Sequence, residues 1–114
     1  MRALVLLLLA AATVTAGAVQ AQDLAAQRRV VSELGLLNGQ ALACRYLDEV
    51  RRMKQAVIAH APQERVFGAD FDKATNDGFL RFRSEGGRCP APAVFAGRVD
   101  ARIEALAASF AGEG

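Results

Sequence analysis

Two cysteines, a single histidine and a group of arginines near the second cysteine are the side chains with the most chemistry to offer in this chain. Cys44 and Cys89 are the only cysteines, and neither sits in a C-x-x-C pair. That spacing excludes the redox-exchange motif and c-type haem attachment, which needs C-x-x-C-H. A metal pair or a bridge between two molecules competes with an internal disulfide. A metal site wants more ligands than one histidine and two thiols supply, so the internal bridge Cys44–Cys89 is expected if the chain is exported. It closes a loop of about 45 residues, for which chain entropy gives roughly 4 kcal/mol.

The remaining candidates are weaker. His60 stands alone near Pro62, with no nucleophile and no third group in sequence to form a hydrolase triad. Met53 and His60 share one helix and point the same way, so they cannot bracket a haem. Asp70, Asp72, Asn76 and Asp77 suggest calcium, but an EF-hand loop begun at Asp70 finds Thr75 where Gly is needed and Arg81 where Glu is needed. No catalytic residue, metal ligand or cofactor is assigned. Arg81, Arg83 and Arg88 gather before Cys89 and are the candidate anion- or partner-binding residues, weighed against the plainer role of cations at a helix end.

The elements that must position these groups are helices. Met1 to Ala21 reads as a cleavable signal peptide: Arg2, then an apolar run from Ala3 to Ala12, then Val19-Gln20-Ala21 with a cut before Gln22. An earlier cut after Ala18 is the alternative. The apolar run is shorter than the roughly 20 residues that span a bilayer, so no transmembrane span is expected after cleavage. The localisation implied is periplasmic or secreted, with residues 22–114 forming one domain.

The 114 residues include 14 Lys+Arg and 12 Asp+Glu, for a net charge of +2. Losing Arg2 with the leader brings the chain close to neutral, which argues against nucleic acid. Hydrophobic residues make up 53% and charged residues 23%, so the chain is not disordered.

Leu24, Val30, Val31, Leu34 and Leu37 recur at helical spacing from Asp23 onward. Asn38-Gly39 is a stop signal, yet the apolar pattern runs on through Ala41 and Cys44. Whether residues 23–60 form one helix or two is open, with continuity slightly favoured. Gly35 and Gly39 are four apart, share a face and suit close approach of another helix. From Gln40 to His60 the stripe Leu42, Tyr46, Val50, Met53 and Val57 predicts a helix. Pro62 suits the first turn of the next, which runs to about Glu85 with Asn76-Asp77-Gly78 as a candidate interruption. Gly86-Gly87 ends it. Ala93 to Phe110 is the last helix. The fold class is all-α: a small bundle of three to four helices stapled by one disulfide.

The stretch Leu34-Gly35-Leu36-Leu37-Asn38-Gly39-Gln40-Ala41-Leu42-Ala43-Cys44, with Arg88-Cys89-Pro90, resembles an uncharacterised proteobacterial secreted family of small all-helical, two-cysteine periplasmic proteins. The resemblance implies no activity. Acid-stress periplasmic chaperones share the size and cysteine plan but no motif.

The function expected is that of an exported, non-enzymatic module binding a periplasmic protein or peptide, in an accessory or chaperone-like role. The alternative is a carrier of a small apolar ligand in a pocket lined by Phe67, Phe71, Phe79 and Phe82. A pocket above about 300 Å³ favours the carrier, and a filled core with an exposed apolar groove favours the binding module. The oligomeric state is open.

Overall fold

The computed structural model describes residues 16–112; the expected leader lies outside these residues except for Ala16–Ala21. Four α-helices follow one another: α1 (Ala16–Ala43), α2 (Leu47–His60), α3 (Arg65–Ser84) and α4 (Pro92–Ser109). No strand occurs among the described residues. The chain folds up-down-up-down. Arg28 meets Asp70 and Asn38 meets Thr75, so α3 runs parallel to α1. Gln27 meets Ser109 and Arg102 meets Glu33, so α4 runs antiparallel to α1.

The layers are unusual for four helices. In the common square arrangement each helix packs on two neighbours. Here α1 packs on all three others, α2 and α4 pack on each other, and α3 leans on α1 alone as its main neighbour. The reason lies in the α1–α3 backbone distance. A Cβ added at Gly39 would lie 2.2 Å from the Thr75 carbonyl oxygen, and one at Gly78 would lie 2.4 Å from the Leu36 carbonyl oxygen. Gly35 is in the same position against Ala74 and the Phe71 carbonyl. Three glycines thus let two helix backbones touch. Both helices run unbroken through residues that act as local stop signals, Asn38-Gly39 in α1 and Asn76-Asp77-Gly78 in α3. Packing overrides their poor helix propensity.

The helix expected from Gln40 to His60 is broken at Cys44-Arg45-Tyr46. The Tyr46 N–H donates to the Ala41 carbonyl and the Arg45 N–H to the Leu42 carbonyl, the paired bonds of a Schellman end. Arg45 takes the left-handed conformation at φ 61°. Glycine normally fills that position, and its absence is why the apolar stripe reads straight through. The far end of α3 closes in the same way with glycine in place: Gly86 has φ 64°, and the Gly87 N–H bonds to the Phe82 carbonyl. Pro62, expected to open α3, stays in the connector. Pro92 takes the first-turn role instead, at the start of α4.

These two Schellman ends lie at the same end of the bundle, and the disulfide joins them. Cys44 and Cys89 are bonded with Cα atoms 5.7 Å apart. The Tyr46 hydroxyl donates to the Pro90 carbonyl, and its ring packs on Phe95 at 5.3 Å between centroids. At the opposite end Phe67 meets Phe110 edge-on at 5.1 Å. Between them the core is Val31, Leu34 and Ala41 of α1, Met53 and Ala56 of α2, Phe71 of α3, and Phe95, Val99 and Leu106 of α4.

Identical substitutions should therefore have opposite signs. Gly39→Ala and Gly78→Ala drive a methyl into backbone and should destabilise by about 1–3 kcal/mol or more. A Cβ at Gly68 or Gly97 meets nothing within 4 Å, so Gly68→Ala and Gly97→Ala should stabilise by up to about 1 kcal/mol. Urea denaturation of the four variants decides the matter. In the same assay Arg45→Gly should be stabilising by about 0.5–1 kcal/mol, since it relieves a left-handed side chain. Arg45→Val should unfold at lower denaturant.

Candidate functional site

Among the described residues no group of three His, Cys, Asp or Glu is placed to hold a metal ion. In the acidic run of α3 one carboxylate pairs with α1 and another within α3 itself. Asp70 accepts two hydrogen bonds from the Arg28 guanidinium at 2.8 and 3.0 Å, and Asp77 pairs with Lys73 at 2.8 Å. His60 is the exposed last residue of α2, and Met53 is fully buried.

Arg81, Arg83 and Arg88 occupy three separate places. Arg83 stacks over the Phe79 ring at 5.6 Å. Arg88 is exposed beside the disulfide. Arg81 lines a groove of about 340 Å³ that runs along α1. Its floor comes from Glu33, Leu36, Leu37 and Gln40 of α1, and its wall from Gly78, Arg81, Phe82 and Glu85 of α3. Each set follows the i, i+3, i+4, i+7 spacing of one helix face. Arg102 of α4 closes the other side. The groove exists because α3 and α4 pack on α1 rather than on each other along this stretch.

Its electrostatics are balanced. Arg102 binds Glu33 at 2.9 Å on the α4 side, while Arg81 and Glu85 stand on the α3 side with no ion pair among the described residues. The lining thus has two cations, two carboxylates and an apolar strip of Leu36, Leu37 and Phe82. No thiol, imidazole or hydroxyl faces it. Such a lining suits recognition of an apolar side chain flanked by charges of both signs. A bare anion would meet two carboxylates.

Four phenylalanines do not enclose a common pocket. Phe67 and Phe71 are interior, Phe79 carries Arg83, and Phe82 lines the groove. A second depression, about 330 Å³, lies at the disulfide corner between Tyr46, Leu47 and Pro92. Sequence reasoning places Arg81 among the candidates but misses Leu36, Gln40, Glu33 and Arg102. The signal available was the i, i+3, i+4, i+7 set on α1, which reads as core until the wide spacing of α3 and α4 is known.

The ties between helices carry a titration. Arg28 holds the Asp70 carboxyl below its usual range, by its hydrogen bonds first and its charge second, against the opposing effect of burial. A carboxylate whose folded pKa is depressed adds stability that is present above its unfolded pKa, about 3.9, and is lost as pH falls toward the folded value. Thermal unfolding should therefore show a fall in stability below about pH 4 that is shallower in Asp70→Asn, whose own stability at neutral pH is lower.

No protein family, curated protein or solved structure matches this chain. No helix among the described residues is long and apolar enough to cross a membrane.

Proposed function

We propose that the chain is an exported, disulfide-stapled binding module with no catalysis of its own, and that it seats an amphipathic segment of another periplasmic or secreted protein in the groove over α1. The supporting observation is the pairing of two helix faces, Glu33-Leu36-Leu37-Gln40 and Gly78-Arg81-Phe82-Glu85, across an open apolar strip. A helix laid there finds apolar contact at its centre and one charge of each sign on the α3 rim, the arrangement of helix-in-groove recognition. Export is supported by the leader-like first 21 residues and by the Cys44–Cys89 bridge, which is a feature of oxidising compartments. The absence of catalysis rests on the missing base and nucleophile set in sequence. The carrier reading has less support: the groove exceeds about 300 Å³, but of the four phenylalanines expected to line a pocket only Phe82 borders it, while Phe67 and Phe71 lie in the core.

Photo-crosslinking in intact exporting cells tests this. A crosslinker at Arg81 or Glu85 should capture one stoichiometric protein, and one at Lys54 on the outer side of α2 should not. With the purified pair, Leu36→Ala should weaken binding by about tenfold, as loss of an anchoring contact does. Equal capture through Lys54, or binding indifferent to Leu36→Ala, overturns the groove. Many unrelated captives that increase in acid would indicate a chaperone instead, and no captive at all would favour the ligand carrier.

A further inference from the structure

Helix α1 is exposed where the leader is expected to end, from Ala21 to Ala25. It begins at Ala16 and runs without interruption through the expected cut between Ala21 and Gln22. The side chains from Ala21 to Ala25 are all exposed. Among the described residues, the first tie from α1 to another helix is the Gln27 side-chain amide donating to the Ser109 carbonyl at 3.2 Å, followed by Arg28 on Asp70. The first fully buried side chain of α1 is Val31. The turn from Ala21 to Ala25, with its side chains exposed, relies on its own backbone bonds and opens readily. Exposed and readily opened backbone is where proteolytic processing occurs. A chain that begins at Gln22 therefore keeps every interhelical tie and every buried side chain described for α1.

We infer that Gln22 becomes the N-terminal residue and is then modified to pyroglutamate. This rests on the export reading above. The chemistry needs only the residue itself. Cleavage frees the Gln22 α-amine, whose usual pKa of about 7.7–8.0 leaves a usable neutral fraction in a mildly neutral compartment. The amine nitrogen attacks the Cδ carbon of its own side-chain amide. A new N–Cδ bond closes a five-membered lactam, the bond from Cδ to the amide nitrogen breaks, and that nitrogen leaves as ammonia with a proton taken from the attacking amine. No oxidant, reductant or metal takes part.

Two consequences follow for the fold. The ring replaces an ammonium at the start of α1, where the helix dipole disfavours positive charge, with a neutral group. The first charge on the helix is then Asp23, of the favoured sign. The chain end also loses the free amine that aminopeptidases require.

Intact-mass analysis of natively exported full-length chain, with fragmentation of its N-terminus, tests the inference. The expected species begins at Gln22, is lighter than that chain by one ammonia and takes amine-directed label at Lys54 and Lys73 but not at its N-terminus. The Gln22→Ala variant should be cut at the same bond and take up the label at its N-terminus as well. A Gln22 terminus that still labels after prolonged storage at neutral pH overturns the modification and leaves the export reading standing. A terminus at Val19 overturns it through a different cut. A retained leader overturns both readings, and the mass distinguishes the three.

Discussion

Two helix backbones in direct contact are a demanding way to build a small protein, and the remaining geometry follows from it. Gly35 and Gly39 on α1 and Gly78 on α3 remove the side chains that normally hold helices 8–10 Å apart. With α3 that close, its apolar side chains reach the core from one side of α1, while α2 and α4 occupy the other. The first helix becomes the axis that every other element touches. A domain of this size has little apolar surface to distribute. Spending it around one central helix leaves α3 and α4 apart, and that gap is the groove.

The two ends of the bundle are secured differently. At one end both neighbouring connectors leave their helices through a Schellman turn, and the disulfide ties them where the chain reverses. Tyr46 reinforces this corner through Pro90 and Phe95. A covalent link there restricts the unfolded chain over a long loop, which suits a helix such as α3 with few partners of its own. The other end relies on Phe67 against Phe110 and on the Gln27–Ser109 tie. Three arginine–carboxylate bridges, Arg28–Asp70, Arg102–Glu33 and Arg52–Asp100, each span a different helix pair. Exposed pairs of this kind contribute little energy each, and their value lies in fixing which faces meet.

Helical periodicity made an all-helical chain of three to four elements legible, and the count of two cysteines made the bridge legible. What failed were local signals that tertiary contact overrules. Asn38-Gly39 reads as a stop against an apolar pattern that favours continuity, and α1 does run through it. Asn76-Asp77-Gly78 reads as an interruption that α3 does not show, because Gly39 and Gly78 lie in the α1–α3 contact, where a Cβ would meet backbone. The true break at Arg45 was hidden for the opposite reason. A bulky residue holds the left-handed position, and Leu42, Tyr46 and Val50 keep helical spacing across it. Pro62 and Pro92 are equivalent as isolated signals, and only the path of the chain selects Pro92. Arg81 was visible as a cation. Its neighbours across the groove were not, because Glu33 and Gln40 become its companions only through the parallel register of α1 and α3.

That register has a specific polar determinant. Asn38 is buried between Gly35 and Gly39, donates to the Thr75 hydroxyl at 3.1 Å and leaves its own carbonyl oxygen without a partner. An unpaired buried acceptor costs about 1–3 kcal/mol, so Asn38 is a poor choice for stability alone. Its worth lies in the alternatives it excludes. Small residues spaced four apart allow two helices to slide by one turn and regain much of their contact. Sliding α3 by a turn would part Asn38 from Thr75 and leave the Asn38 amide nitrogen, like its oxygen, buried and unpaired, while moving Gly78 away from Leu36. A single hydrogen bond between a buried amide and a hydroxyl thus penalises the neighbouring registers more than it helps the native one, as polar residues do in coiled-coil seams. The groove inherits its composition from that choice, since one turn of slippage would replace Arg81 and Glu85 opposite α1 with a different pair of side chains.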